Sequence, residues 1–150
     1  MATLLEDIYL QTAWVVRGFK MDNLNLDYSL ESLKLIDAFM DEHSVDGKPT
    51  PNGRLAQQLG PILFSIGGYI GETIIKNVPG ACWVTNDEDP LGEVNVELKL
   101  PNGTLIRPMQ RIINRFKNGP EDGIYAYGAV VIKDMSKDDF WERLRENKIQ

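Results

Sequence analysis

Residues 59–76 read LGPILFSIGGYIGETIIK, and this stretch decides the predicted fold. Pro61 suits the first turn of a helix, where the N–H that proline lacks is not needed. Apolar side chains then recur at helical spacing on one face, and they are Leu59, Leu63, Ile66, Ile70 and Ile74. We therefore expect one helix through the whole stretch, with this face against the core.

Three glycines interrupt the apolar pattern of this predicted helix, at positions 67, 68 and 71. In a helix interior, each glycine costs about 1 kcal/mol relative to alanine. A helix that accepts this cost three times is predicted to lie against another backbone at close range. The glycines are therefore interpreted as packing positions, at which a second element or a second subunit approaches.

The length and composition indicate a folded protein of 150 residues, which we expect to form one domain over residues 1–150. Hydrophobic residues make up 43% of the chain and charged residues 25%, which are ordinary globular values. The chain has 16 basic and 22 acidic residues, and its formal net charge is −6. Because this average field repels a phosphate backbone, a nucleic-acid partner is not expected.

The N-terminal sequence and the single cysteine favour a cytoplasmic location. Glu6 and Asp7 come early and no basic leader precedes them, so a signal peptide is not expected. Residues 55–71 form the longest uncharged run, which falls short of the roughly 20 apolar residues of a membrane span. Cys82 has no second cysteine with which to form a disulfide. We therefore expect a cytoplasmic protein with no membrane partner.

Two helices and a loop are predicted before the central helix. Amphipathic spacing predicts a helix over residues 3–19. Asp27 or Ser29 can cap a second helix that ends near Glu42. Residues 43–53 contain two prolines and two glycines, so they are predicted to form a loop.

Strands are predicted after the central helix. Residues 81–86 form a short apolar run, and residues 94–100 alternate between apolar and polar side chains, as in a half-buried strand. After a Pro-Asn-Gly turn, residues 104–107 are predicted to return as the hairpin partner. Three strands in sequence order favour an antiparallel meander with one face on the helices.

The C-terminal part is predicted to return to helices. Pro108 can open a helix that ends near Lys117. In residues 123–133 the β-branched side chains favour a strand and the acidic start favours a helix, and we prefer the helix. Ser136 begins a last predicted helix. The predicted fold class is α+β, with N-terminal helices, a three-stranded antiparallel meander and C-terminal helices.

The polar face of the central helix is predicted to carry Ser65, Tyr69, Glu72 and Lys76. As a general acid or base, Glu72 needs burial and a raised pKa. As a surface residue it pairs with Lys76, one turn further on. As a structural residue it is buried against an arginine. The structural roles are favoured, because no partner base is visible in the sequence.

A row of arginines is the second candidate site. Arg107, Arg111 and Arg115 recur every four residues at the start and along the outer face of a predicted helix. Guanidinium groups in such a row can bind a carboxylate-rich partner or an anionic ligand. The alternative is a solvated face that balances an acidic protein, and it is favoured because charged stripes are usual on surface helices.

Other reactive residues form no site pattern. Residues 87–93 are acidic but lack the carboxylate spacing and the mid-loop glycine of a calcium loop. His43 and Cys82 are the only residues of their types, so no zinc site is expected. In an apolar strand, a buried and unreactive cysteine is the usual state. We expect no metal and no cofactor, and the tryptophans are expected to be core anchors: Trp14, Trp83 and Trp141.

Two sequence blocks and a tryptophan resemble a group of small uncharacterised bacterial proteins. The blocks are D-Y-S-x-E-S-L at residues 27–33 and G-x-Y-x-G-E-x-I at residues 67–74, and Trp83 follows Gly80. The resemblance covers residues 27–122. It implies a bacterial cytoplasmic domain, and it names no reaction because the group has no established activity.

The sequence leaves two functional hypotheses. The first is a non-enzymatic protein–protein interaction module, such as an immunity-type inhibitor, because the sequence is acidic and lacks a catalytic constellation. The alternative is an enzyme or small-ligand binder that uses Glu72 with an arginine in a cleft between helix and sheet. A homo-oligomer through the glycine positions is left open. The candidate binding residues are Tyr69, Glu72, Trp83, Arg107, Arg111 and Arg115.

Overall fold

The computed structural model describes residues 2–135, which form helices and two small antiparallel sheets. The helices are α1 (Leu4–Met21), α2 (Leu33–His43), α3 (Arg54–Gln57), α4 (Leu59–Asn77), α5 (Gly92–Asn95), α6 (Pro108–Asn118) and α7 (residues 124–135). The strands are β1 (Ser44–Val45), β2 (Lys48–Pro49), β3 (Cys82–Val84), β4 (Glu97–Lys99) and β5 (Leu105–Ile106). The predicted α+β class is confirmed.

Helix α4 is the central element, as the sequence predicts. It packs against α1 and α6, and it is buried on almost every side. Its predicted polar face is wrong for Ser65 and Tyr69, because both side chains are fully buried. Ser65 can be buried because its hydroxyl donates a hydrogen bond to the Ile62 carbonyl at 2.7 Å.

The glycines of α4 confirm the predicted close approach of other elements. A Cβ atom at Gly67 would lie 2.8 Å from the sulfur of Met109, on α6. A Cβ atom at Gly71 would collide with the indole ring of Trp83, on β3. Helix α1 approaches at Gly68, between them. The glycines therefore let three neighbouring elements pack directly on the α4 backbone.

The three-stranded sheet has the order β3-β4-β5 with both pairs antiparallel, so the predicted meander is confirmed. Trp83 lies opposite Leu98, and Leu98 lies opposite Ile106. The strands are shorter than predicted, and the prediction is wrong for Val94 and Asn95, which belong to α5.

A side-chain turn explains why α5 replaces the start of the predicted strand. The Asp89 carboxylate accepts hydrogen bonds from the Leu91 N–H at 2.9 Å and from the Asn95 side-chain amide at 3.1 Å. These bonds hold the chain in a compact turn before β4. The alternating pattern therefore becomes a strand only after Val96, which is buried.

The segment predicted as a loop contains a two-residue hairpin. Val45 pairs with Lys48, and the two residues between them, Asp46 and Gly47, have φ angles of 54° and 75°. Asp-Gly at positive φ is the usual sequence of such a tight hairpin turn. The prediction of an irregular loop over residues 43–53 is therefore wrong for β1 and β2.

Helix α7 confirms the preference for a helix after residue 123. The Asp37 carboxylate, on α2, accepts hydrogen bonds from the backbone N–H groups of Ile124 and Tyr125, both at 2.9 Å. These N–H groups belong to the first turn, which has no partner inside the helix. Val131 faces the core. The predicted helix from Ser136, with Trp141, lies outside the described residues.

Within residues 2–135, no helix is long and apolar enough to cross a membrane.

Candidate functional site

Tyr69 joins the two sequence blocks of the resemblance. Its hydroxyl oxygen accepts a hydrogen bond from the Tyr28 N–H at 2.9 Å and lies 2.5 Å from the Ser32 hydroxyl. The Tyr28 backbone has a φ of 64°, which is unfavourable for a bulky side chain and persists only where neighbours hold it. The Asn77 side-chain amide also donates to the Tyr28 carbonyl. Tyr69 therefore fixes the backbone before α2.

Glu72 is half-buried at the edge of this cluster. Its burial raises the pKa of the carboxyl group, and the nearby Lys76 ammonium and Trp83 indole N–H oppose that rise in pKa without cancelling it. The Trp83 indole nitrogen is itself buried and makes no hydrogen bond of good geometry within the described residues. The Lys76 ammonium lies over the Tyr28 ring, 4.7 Å from its centre.

The three arginines of the predicted row differ in burial and in their partners. The expectation of an outer face is wrong for Arg115, whose side chain is 2% exposed. It binds Asp37 through Nε at 3.0 Å and Asp41 through Nη2 at 2.6 Å. Buried guanidinium groups need such partners, because an unpaired charge is costly away from water. Arg115 therefore fixes α6 to α2 and is not free to bind a ligand.

Arg107 and Arg111 are also engaged within the fold. Arg107 is exposed and lies 3.6 Å from the Glu97 carboxylate on β4. Arg111 is half-buried, lies 3.9 Å from the Asp122 carboxylate, and stacks over the Tyr127 ring at 4.6 Å from its centre. Both arginines therefore pair with carboxylates other than Glu72. The structure brings Tyr69, Glu72 and Trp83 together but adds no arginine to them.

Cys82 and His43 have environments that the sequence does not predict. Cys82 is exposed, so the expectation of a buried cysteine is wrong. Side chains alternate along a strand, and Trp83 takes the inward position against α4. The His43 Nδ1 atom accepts a hydrogen bond from the Arg54 N–H at 3.3 Å, and its ring packs on Phe39. In the described part of the chain, no group of three potential ligands is placed to hold a metal ion.

One concave surface is a groove that the sequence pattern does not predict. It has a volume of about 890 Å³ and lies along the second half of α1, between Leu24 and the junction of α3 with α4. Its apolar side chains are Trp14, Val15, Phe19, Met21, Leu24, Phe39 and Ile62. Trp14 is 40% exposed and Met21 is 85% exposed, so Trp14 is not the core anchor that the sequence predicts. We call this surface the α1 groove.

The edge of the α1 groove is positively charged, although the whole chain is acidic. Arg17, Lys20 and Arg54 lie at this edge with one carboxylate, Asp22. The Arg54 guanidinium donates to Asp22 at 2.9 Å, which neutralises both groups. Within residues 2–135, Arg17 and Lys20 form no ion pair, so they leave two uncompensated charges beside the apolar floor.

A second cleft of about 460 Å³ lies at the other end of α1. It has an apolar floor that includes Phe64 and Met109, and its charged residues are the carboxylates Asp7 and Glu93. A third cavity of about 420 Å³ is polar, but its Asp89 carboxylate is used by the turn before β4. The two clefts along α1 therefore have edges of opposite charge.

Part of the signal for the α1 groove is present in the sequence. Leu10, Trp14 and Met21 recur at helical spacing on the side of α1 opposite Ile8 and Val15. An apolar stripe on each side of one helix indicates that both sides are covered.

No family model, curated protein or solved structure matches this chain, so the resemblance to the bacterial group stays a prediction.

Proposed function

We propose that the protein is a non-enzymatic protein–protein interaction module whose α1 groove binds an acidic amphipathic helix of its partner. The observation that supports this most is the exposure of Trp14 and Met21 beside Arg17 and Lys20, which form no ion pair within residues 2–135. The protein then acts by occupying its partner and not by transforming a substrate, as an immunity-type inhibitor does.

The apolar part of the α1 groove has the properties of a docking surface. Trp14, Met21 and Leu24 expose apolar area next to one another around a concave floor. Contiguous apolar patches of this kind mark binding surfaces in soluble proteins. An amphipathic helix places its apolar face in such a groove through side chains at positions i, i+4 and i+7. Burial of these side chains supplies the affinity.

The charges of the groove select the partner. Arg17 and Lys20 attract a helix that carries carboxylates beside its apolar face, and they repel a basic one. The long apolar stem of each side chain can lie along the groove while its charge reaches the carboxylate. Complementary charges at an interface mainly raise the association rate and the specificity.

The alternative of an enzyme or ligand site at Glu72 has less support. It requires an arginine beside Glu72, and Arg107, Arg111 and Arg115 bind other groups. It also uses Tyr69, whose hydroxyl is buried between Tyr28 and Ser32.

A synthetic peptide of about 18 residues, long enough to form a helix, tests the proposal. It carries leucines at positions i, i+4, i+7 and i+11 with glutamates beside them. We expect it to shift the amide NMR signals of residues 14–24 and 54–62, and to leave those of the β3-β4-β5 sheet unchanged. Met21→Glu is expected to weaken binding about tenfold or more. It removes apolar contact with the leucines of the peptide, and its carboxylate repels the glutamates of the peptide.

Matched controls make the peptide experiment decisive. Val45→Glu places the same charge on a side chain that is 61% exposed in the β1–β2 hairpin and does not line the groove, and it should leave binding unchanged. A peptide with lysines in place of the glutamates should bind more weakly. Equal affinity for the two peptides, or binding that Met21→Glu does not reduce, would overturn the proposal.

A further inference from the structure

We infer that the acidic amphipathic helix that occupies the α1 groove is the first half of α1 from a second copy of this chain. The protein is then a symmetric dimer in which the two α1 helices pack antiparallel. This inference rests on the proposed function, because it names the partner of the same groove.

The exposed face of α1 has the spacing of a helix-pairing seam. Leu10, Trp14, Arg17 and Met21 follow one another at intervals of four, three and four residues. Two helices that pack along their length use this alternation of three and four. Leu10 is 63% exposed and Met21 is 85% exposed, so nothing in the described residues covers these two side chains. The opposite face of α1 is already buried in the core through Ile8, Thr12, Val15 and Phe19.

The order of charges along α1 selects the antiparallel arrangement. Glu6 and Asp7 lie in the first turn, and Arg17 and Lys20 lie in the second half. An antiparallel pair places the acidic start of each helix against the basic end of the other. A parallel pair places like charges together. The start of α1 is thus an acidic amphipathic helix, which is the chemistry that the α1 groove selects.

The two clefts along α1 fit the same arrangement. One side of α1 lines both clefts. Asp7 and Gln11 on this side line the acidic cleft, and Trp14 and Gly18 line the α1 groove. The clefts therefore follow one another along α1, with Asp7 and Glu93 at its start and Lys20 at its end. A surface that is complementary to itself in this way forms a closed two-fold dimer.

The centre of the helix pair also has room for a side chain of the second copy. In a register centred on Trp14, Leu10 of one copy faces Gly18 of the other, because these positions lie four residues to either side. A Cβ atom at Gly18 would have no neighbour within 4 Å. The missing side chain therefore leaves space for a leucine on the exposed side of the groove.

Sedimentation equilibrium of the full chain over a wide concentration range tests the inference. We expect a reversible dimer that Leu10→Glu converts to monomer, with the dissociation constant raised at least tenfold. Leu91→Glu is the matched control, because Leu91 is 64% exposed against 63% for Leu10 and lies outside α1. This control should stay dimeric.

A charge exchange tests the antiparallel pairing without removing apolar surface. Lys20→Glu and Glu6→Lys should each weaken the dimer, because each places like charges together across the two-fold axis. The double variant carries both changes in one chain, so every reversed charge again meets its opposite. Its dissociation constant should return toward that of the wild type.

The outcomes separate the inference from the proposed function. A wild-type chain that remains monomeric at its highest soluble concentration overturns the dimer, while the peptide experiment still decides whether the groove binds an acidic helix from another protein. A dimer that Leu10→Glu leaves intact also overturns the inference, because its interface then lies elsewhere. A double variant weaker than either single variant overturns the antiparallel pairing.

Discussion

Two carboxylates, Asp37 and Asp41, hold the Arg115 guanidinium in the interior of the fold. The sequence places Arg115 in a row with Arg107 and Arg111, where all three have the same chemistry. Its partners Asp37 and Asp41 lie more than 70 positions earlier in the chain. A pattern within one helix cannot reveal contacts at that distance, so a buried arginine and an exposed one have the same local signal.

The two carboxylates at Arg115 are expected to differ in their contribution to stability. Asp37→Ala leaves the Ile124 and Tyr125 N–H groups without their acceptor and removes the less exposed partner of the buried guanidinium. We expect a loss of about 3–5 kcal/mol in the free energy of unfolding. Urea unfolding followed by circular dichroism measures this loss.

Asp41→Ala is the matched control for that experiment. The Asp41 side chain is 58% exposed, so solvent screens its pairing with Arg115. We expect Asp41→Ala to cost about 1 kcal/mol or less. Equal losses for the two variants would show that Asp37 has no special role at this position.

Glu72 gives a prediction about pH. Burial raises its pKa, so the folded protein holds this proton to a higher pH than the unfolded chain does. The resulting stability is complete below the ordinary glutamate pKa of about 4.3 and is lost as the pH rises through the raised pKa. Glutamine cannot ionise, so Glu72→Gln should be more stable than the wild type at neutral pH. This advantage should shrink as the pH falls.

Urea midpoints measured from neutral pH down to about pH 4 test the effect of Glu72. The same substitution at Glu88, which is exposed and forms no ion pair within the described residues, is the control, and it should give no such trend. A Glu72→Gln variant that is less stable at neutral pH would indicate that the carboxylate makes a favourable contact there.

At the scale of elements, α4 shows what periodicity predicts and what it leaves out. The apolar spacing and the glycines predict a helix with close neighbours, and both are observed. The same pattern places Ser65 and Tyr69 on a solvent face, yet both are buried. Ser65 bonds to its own helix, and Tyr69 bonds to residues 28 and 32. A polar side chain with such partners can lie in a core.

The contact between α4 and β3 gives a prediction about packing. Gly71→Ala adds a methyl group where the rigid Trp83 ring lies, so either the ring or the strand must move. We expect a loss of about 1–3 kcal/mol in the free energy of unfolding, as for other overpacked cores. Thermal unfolding and near-ultraviolet circular dichroism of the tryptophans measure the loss and the ring displacement.

Gly60→Ala is the control in the same helix. A Cβ atom at Gly60 meets nothing within 4 Å, so alanine should be neutral or should stabilise α4 through its higher helix propensity. A Gly71→Ala variant as stable as Gly60→Ala would contradict the packing account of the glycines.

The sheets differ from the prediction where a side chain competes with the strand pattern. Alternation over residues 94–100 is a correct indication of β4, but Asp89 holds Asn95 in a turn. In the segment before α4, the prolines and glycines predict a loop. The Asp46-Gly47 pair in the same segment is a hairpin signal, and the hairpin is what the structure contains. Local patterns therefore predict which elements exist, and specific side-chain bonds decide where they begin.

For the whole molecule, composition and periodicity predict the α+β class. They also mark the apolar stripe of Leu10, Trp14 and Met21 on α1, but they do not predict that this stripe stays exposed beside a groove. Exposure is a property of the assembled fold, and a tryptophan at helical spacing has the same pattern whether or not another element covers it. The net charge of −6 describes an average over the chain. It conceals the local positive charge at Arg17 and Lys20, which carries the proposed function.

The position of Asp37 has a consequence for how the chain folds as it is synthesised. Helices α1, α2 and α4 leave the ribosome first and can pack together while the Asp37 carboxylate still faces water. Arg115 reaches it only after α6 has emerged, and the first turn of α7 comes later still. The same carboxylate thus receives its partners in the order in which the chain is made. Packing of α6 on α2 fixes the Asp37 carboxylate that accepts hydrogen bonds from the first turn of α7. We therefore expect α7 to be the last of the described elements to become ordered.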